Sequence, residues 1–258
     1  MAVPSVALAK AVQMPLVGFG TWQLRGRGAY QAVRYALDVG YRHIDTATIY
    51  RNDAEIGQAL QDSGVPRSEV FITTKLWPTD AGRERRTIAA SLKALGTDYV
   101  DLWLVHWPPR RGAAVSVWKE FVEVHRDGLA RTIGVSNFDA AQIDELTRAT
   151  GVTPSVDQIE WSPRRYDRSV ADALRARGVV LEGYSPFKTS RLNDPVLVEI
   201  AARHDVTAAQ VVLRWHVDHG FVVIPKSAHQ DRIAANFDVF DFSLDPAEVA
   251  RIDALGSG

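Results

Sequence analysis

The sequence predicts an α/β fold: one (β/α)8 barrel over residues 1–258, with a short N-terminal β-hairpin and extra helices near the C-terminus. Three observations predict it. Eight apolar runs of strand length alternate with stretches whose apolar residues recur at helical spacing, as parallel strands joined by crossover helices require. The 258 residues are close to the size of one such barrel and can bury roughly three quarters of their unfolded surface. A polar residue ends every run, where a barrel opens its C-terminal face. An open doubly wound sheet would instead require a G-x-G-x-x-G turn after the first strand, and Gly18 and Gly20 are followed by Thr21, Trp22 and Gln23. No Pro-, Gly- or Ser-rich linker and no low-complexity tract divides the chain.

In order, Val3, Val6 and Leu8 alternate with small or polar residues across positions 1–15, the pattern of a short exposed hairpin. LVGFGTW is the first barrel strand. The helix after it carries Val33, Tyr35, Ala36 and Leu37 and stops at Gly40. RHIDTA precedes a helix through Ala54, Ile56 and Leu60, and VFITTK precedes one with Ile88, Leu92 and Leu95, stopped at Gly96. DYVDLWLVH leads to Trp118, Phe121, Val122 and His125; RTIGVSN leads to an N-cap at Asp139 with Ile143 and Leu146 behind it. PSVDQIEW precedes a helix with Val170 and Leu174, and VVLEGYSP precedes Asp194-Pro195, a cap followed by proline at the first helical position. Thr207 to Gln210 forms a capping box for a helix with Val211 and Trp215. FVVIPK closes the series, with short helical patterns from Asp231 and from Asp245-Pro246 beyond it.

Composition narrows the function. A net charge of -1 and a pI near 6.7 give no basic field for nucleic acid or an anionic membrane, so the expected partner is a small molecule. With no cysteine there is no disulfide, thiol nucleophile or zinc-finger spacing, which fits a reducing compartment. MAVPSVALAKAVQMP lacks the form of a secretory signal, and no apolar run approaches a membrane span. The expected setting is cytoplasmic.

The polar residues ending the runs are Thr21, Asp45, Lys75, His106, Ser136 with Asn137, Gln158, Ser185, and Lys226 with Ser227. Tyr50 follows Asp45 on the adjoining loop. An acid, a phenol, an amine and an imidazole on one rim make a proton-transfer site. An ammonium about 4 Å from the phenol, at an effective dielectric of about 20, favours the phenolate by about 4 kcal/mol. That is about a thousandfold in acidity, enough to bring Tyr50 near working pH. Asp45 would keep Lys75 charged, and His106 would donate a hydrogen bond to a substrate oxygen. Such a site has no obvious nucleophile. A carbonyl substrate would need hydride, hence a nicotinamide or flavin, and Lys226, Ser227 and Arg232 around the last short helix offer a phosphate site. His43, two residues before Asp45, shares its strand face as a hydrogen-bonded interior residue. His125, His204, His216 and His219 lie on helical patterns with no carboxylate at metal-ligand spacing, so no metal is expected.

GFGTW, GYRHIDTATIY, ITTKLW, DYVDLWLVHWP, GVSNF, QIEWSP, GYSP and IPKSAHQDRIAANF together resemble the successive strand ends of the aldo-keto reductases, in their order and spacing. The resemblance implies a barrel that reduces carbonyl compounds with NADPH, and it leans toward a monomer. It makes Tyr50 the general acid, tuned by Lys75 and Asp45, with His106 orienting the carbonyl. Gly20, Thr21, Trp22 and Asp45 would border the cofactor; Ser136, Asn137 and Gln158 would hold the nicotinamide carboxamide, and Tyr184 would stack on the ring. Ser185, Pro186 and Phe187 would begin the loop over the pyrophosphate. Lys226, Ser227, His229 and Arg232 would meet the 2'-phosphate and Asn236 the adenine, while Trp22, Trp77 and Trp107 would wall the substrate pocket beside Tyr50 and His106. Ala235 and His229 depart from the residues common in the family at those positions. The short segment after His106 and the short tail to Gly258 imply an open, permissive pocket. Two other functions compete: a nicotinamide-nucleotide sensor without catalysis, and a lyase using Lys75 as a Schiff-base amine, against which the neighbouring Asp45 argues.

Overall fold

The computed structural model describes residues 3–8, 12–109 and 112–257; the tip of the expected hairpin, Arg110 and Arg111 after the His106 strand, and Gly258 lie outside the described residues. Two short strands, β1 (Ser5–Ala7) and β2 (Gln13–Pro15), pair antiparallel. Eight parallel strands follow in chain order: β3 (Phe19–Gly20), β4 (His43–Asp45), β5 (Phe71–Leu76), β6 (Val100–Val105), β7 (Ala130–Ser136), β8 (Val156–Glu160), β9 (Val180–Tyr184) and β10 (Val222–Val223). Each pairs with the next. The seam closes through Gly18 N–H to the Val223 carbonyl at 2.9 Å, Val223 N–H to the Leu16 carbonyl at 2.8 Å and Gly20 N–H to the Pro225 carbonyl at 3.1 Å. A Cβ on Gly20 would stand 2.9 Å from the Ile224 carbonyl, so closure requires glycine there.

The strands are buried on both faces because helices cover the outside; every residue of β5 and β6 is buried. The helices are α1 (Gly26–Val39), α2 (Asp53–Ser63), α3 (Glu84–Leu95), α4 (Ala114–Arg126), α5 (Ala140–Thr150), α6 (Arg168–Arg175), α7 (Pro195–His204), α8 (Ala208–Asp218), α9 (Gln230–Phe237) and α10 (Pro246–Asp253). In α1 the buried residues are Ala29, Ala32, Val33, Ala36 and Leu37, one stripe at helical spacing, and Gly40 ends the helix with φ 123°. Asp139, Thr207 and Asp245 each form the reciprocal bonds of a capping box. Between β6 and α4, Trp103 stacks on Phe121 with centroids 3.7 Å apart. Val170 on α6, expected on the buried stripe, is exposed.

The hairpin differs from expectation. Ser5 and Ala7 are exposed, but Leu8, Val12 and Met14 are buried and belong to the main core. Strand β2 runs directly through Leu16 and Val17 into β3, so the hairpin stops the N-terminal end of the barrel. The opposite end carries the strand termini.

Candidate active site

Asp45, the last residue of β4, and Lys75 on β5 are both buried. Lys75 Nζ donates to Asp45 Oδ1 at 2.6 Å, to Oδ2 at 2.7 Å and to the Thr46 carbonyl at 2.9 Å, which commits all three ammonium protons. Gln158 on β8 donates to Asp45 Oδ2 at 2.9 Å from across the barrel. Burial, the largest influence, works against the ammonium, yet the Asp45 charge and hydrogen bonds together with Tyr50 and Glu182 more than offset it and hold the Lys75 pKa above its ordinary value. Burial likewise pushes the Asp45 carboxyl up, against the pull of the Lys75 charge and of the Lys75 and Gln158 hydrogen bonds, and those bonds fix the two side chains as a pair.

Tyr50 ends a single 3-10 turn, Thr48–Tyr50, terminated by Arg51 in the left-handed region at φ 56°. Thr48 Oγ1 donates to the Lys75 carbonyl at 3.0 Å, fastening the turn to β5. The ammonium of Lys75 lies 5.3 Å from the Tyr50 ring centroid. The His106 ring stands edge-on to Tyr50 at 5.9 Å and to Trp77 at 5.1 Å. Thus Asp45, Lys75 and His106, from three neighbouring strands, and Tyr50, from the turn after the first of them, converge at one rim.

The expected acidification of Tyr50 is not what the structure has. Burial, the largest influence, raises the phenol above its ordinary value; Lys75 pulls it down, while Asp45 and Glu182 push it further up. Lys75 spends its charge on Asp45, so too little reaches the phenol to offset desolvation. Tyr50 consequently stays protonated at neutral pH. His106 is driven the other way: burial first, and the Lys75 charge second, lower its pKa to about 3, leaving a neutral imidazole.

The neighbouring rim residues form one lattice. Thr21 sends both its N–H (3.0 Å) and its hydroxyl (2.9 Å) to the Asp45 carbonyl. Ser136 Oγ donates to the Gln158 carbonyl at 2.7 Å. Asn137, at φ 62°, donates to Ser136 Oγ at 2.9 Å and to the His106 carbonyl at 3.3 Å, and accepts from the Tyr184 hydroxyl at 3.0 Å. Burial raises Tyr184 to about 12. Ser185 also sits at positive φ, 54°, and turns the chain into a loop where Pro186 is buried and Phe187 packs on the core. Trp77 is half-buried; Trp22 and Trp107 stand out at 53% and 43% exposure.

The phosphate-end residues lie apart, at the exit of β10. His229 is the N-cap of α9 without a side-chain cap bond, and its own N–H donates to Ser227 Oγ at 3.1 Å. Lys226 and Arg232 are exposed, and among the described residues neither has a carboxylate partner. Two unpaired cations beside an uncapped helix N-terminus are a donor set that fits a phosphate. Asn236 is buried on the same helix.

Two further buried residues escaped the sequence reading. Asn52 donates to the Thr21 and Leu24 carbonyls, both at 3.0 Å, and accepts from Thr46 Oγ1 at 2.8 Å, so it ties the first two rim loops together. Nothing in the sequence marks it. Glu182 lies inside the barrel, and an acid in the apolar run VVLEGY was its visible signal. His43 meets Thr73 Oγ1 at 3.1 Å, as its strand face implied.

A closed eight-stranded barrel whose C-terminal rim joins a buried carboxylate–ammonium pair to a protonated phenol and a neutral imidazole defines a class of barrel proteins equipped for proton transfer. The family model described as the Aldo/keto reductase family matches residues 16–257, and the chain belongs to that family. It is 42% identical over 249 residues to a methylglyoxal reductase of Escherichia coli K12, across 95% of this chain and 90% of that protein. Its fold matches a crystal structure of an aldo/keto reductase from Brucella melitensis with a TM-score of 0.95 and 41% identity, over 98% of this chain and 100% of that one. A Bombyx mori aldo-keto reductase in complex with NADP matches with a TM-score of 0.93 and 34% identity, over 99% of this chain and 93% of that one.

Proposed function

We propose that the chain is an oxidoreductase that reduces small aldehydes and ketones to alcohols with NADPH, using Tyr50 as the proton donor. The observation that carries this reading is the three-way anchoring of Lys75 by Asp45 and Thr46 beside a protonated Tyr50. Membership of the family and the NADP in the Bombyx mori relative support it. A reduced nicotinamide, when bound, supplies the hydride.

The protein's own residues do the rest. His106, neutral, donates a hydrogen bond to the carbonyl oxygen and sets that oxygen between imidazole and phenol. Tyr50 delivers its proton to the developing alkoxide, a far stronger base than a phenolate, so a phenol of raised pKa still donates downhill. Lys75 then faces a phenolate and stabilises it until solvent returns the proton. Asp45 keeps Lys75 charged and in place. Ser136, Asn137 and Gln158 offer the amide and hydroxyl groups suited to a carboxamide, with Tyr184 as the ring platform. Lys226, Ser227, His229 and Arg232 would take the 2'-phosphate, Asn236 the adenine, and Trp22, Trp77 and Trp107 the substrate's apolar part. Within this reading the protein is a monomer of the reducing cytoplasm, which the lack of cysteine fits.

Mixing the protein with NADPH and a panel of reactive aldehydes, aromatic ones included, is expected to consume the reduced-nicotinamide absorbance. Tight NADPH binding with no turnover across the panel would replace this reading with that of a nucleotide sensor.

A further inference from the structure

The mechanism makes no use of one buried carboxyl in the barrel interior. Glu182 on β9 pairs in register with Gln158 on β8 and Val222 on β10. Registered neighbours share a sheet face, and Gln158 reaches Asp45 across the barrel, so Glu182 points inward beneath the same ion pair. It is fully buried, neither carboxyl oxygen has a partner at good hydrogen-bond geometry among the described residues, and the nearby Gln158 amide, already given to Asp45, and the Lys75 charge favour its ionised form too weakly to offset burial. His43 Nε2 stands 3.7 Å from Oε1, too far for a hydrogen bond, and is engaged with Thr73 Oγ1 at 3.1 Å.

The charges that face Glu182 are few. Asp45 comes from β4, Lys75 from β5 and the phenol of Tyr50 from the turn above; His43, also from β4, is kept neutral by burial and by Lys75, at about 3. Two carboxyls thus share one ammonium in a dry interior, and Lys75 is already bonded to Asp45 on both oxygens. An ionised Glu182 would be a buried anion with only the Gln158 amide and the Lys75 ammonium to favour it, both already engaged with Asp45. Burial, and then the Asp45 charge, accordingly raise its pKa to about 8.

We propose that Glu182 is a positioning residue whose carboxyl, acting through Gln158 and the Asp45–Lys75 pair, sets the charge of the barrel interior beneath Tyr50 and so the pH range over which the phenol exchanges its proton. This rests on the reading of Tyr50 as proton donor. Below about pH 8 Glu182 keeps its proton and the interior carries one negative charge against one positive. Above that it gains a second negative charge, which holds the phenol protonated to higher pH. Reduction, which needs the phenol, is favoured. Alcohol oxidation, in which the alcohol gives its hydride to oxidised nicotinamide and its hydroxyl proton to the Tyr50 phenolate, is suppressed.

The test measures kcat/KM for alcohol oxidation with NADP+ from neutral to alkaline pH in wild type, E182Q and E182D. The ratio of E182Q to wild type is expected to climb roughly threefold to tenfold as pH passes through the Glu182 transition, with E182D following wild type. Infrared spectra are expected to contain the carbonyl stretch of a protonated carboxylic acid at neutral pH that bleaches on alkalinisation and is missing from E182Q. A flat ratio alongside an inactive Tyr50→Phe overturns the role of Glu182 alone, whereas Tyr50→Phe turning over at the wild-type rate overturns the reading beneath it. Should E182Q fail to fold, the wild-type infrared titration decides: absence of the band at neutral pH overturns the proposal.

Discussion

Replacing Asp45 by asparagine strands the ammonium of Lys75. The two side chains are 3% and 0% exposed and meet at 2.6 Å, so solvent neither screens the pair nor compensates a broken one. Breaking a buried ion pair from one side destabilises by about 3–5 kcal/mol, because the remaining charge is left in a low-dielectric interior. For a chain of this size that lowers the melting temperature by about 6–15 °C. A second variant separates stranding from lost packing: Asp45→Asn combined with Lys75→Met removes the orphaned charge and should recover about 2 kcal/mol or more. Urea unfolding with an unchanged m-value is the assay. A single variant within about 1 kcal/mol of wild type, or a double variant less stable than the single, would refute the claim that the pair is ionised and dry.

Because burial and Lys75 lower His106 to about 3, the imidazole stays neutral as pH falls through the usual histidine range. The kcat/KM profile for carbonyl reduction should therefore show no inflection at about 6.5 that vanishes in His106→Gln; such an inflection would contradict a neutral hydrogen-bond donor. Met14, fully buried in the hairpin that stops the barrel, should lose about 2–5 kcal/mol of stability on replacement by alanine, measured by chemical unfolding; a loss under about 0.5 kcal/mol would make the hairpin the exposed flap its alternation suggested.

Much of the architecture was legible in the sequence because it is encoded locally. Asp139, Thr207 and Asp245 cap their helices with the residues three positions on, and Gly40 and Gly96 end theirs in the turn geometry that glycine accepts. The convergence of Asp45, Lys75 and His106 was legible for a geometric reason, since in a parallel barrel every strand end faces the same rim. What could not be read depends on burial and on distant partners. Tyr50 is raised rather than lowered because desolvation at the mouth exceeds the pull of an ammonium already bound to Asp45. The partners of His204 and His219 are Glu248 at 2.9 Å and Asp253 at 2.8 Å, both on α10 and more than thirty residues away along the chain. Asn52 earns its place through carbonyls of a loop joined to it only by folding. The hairpin's inward face follows from β2 leading into the barrel, which alternation over a few residues does not reveal.

In the proposed reaction the Tyr50 hydroxyl transfers the proton in the chemical step. Single-turnover reduction of an aromatic aldehyde by the Tyr50→Phe protein loaded with NADPH, with cofactor affinity measured on the same sample, tests it most directly. With Tyr50 as the donor, NADPH affinity is expected to stay unchanged and the rate to fall by about a hundredfold to ten-thousandfold. Turnover at the wild-type rate with the phenol gone would contradict it.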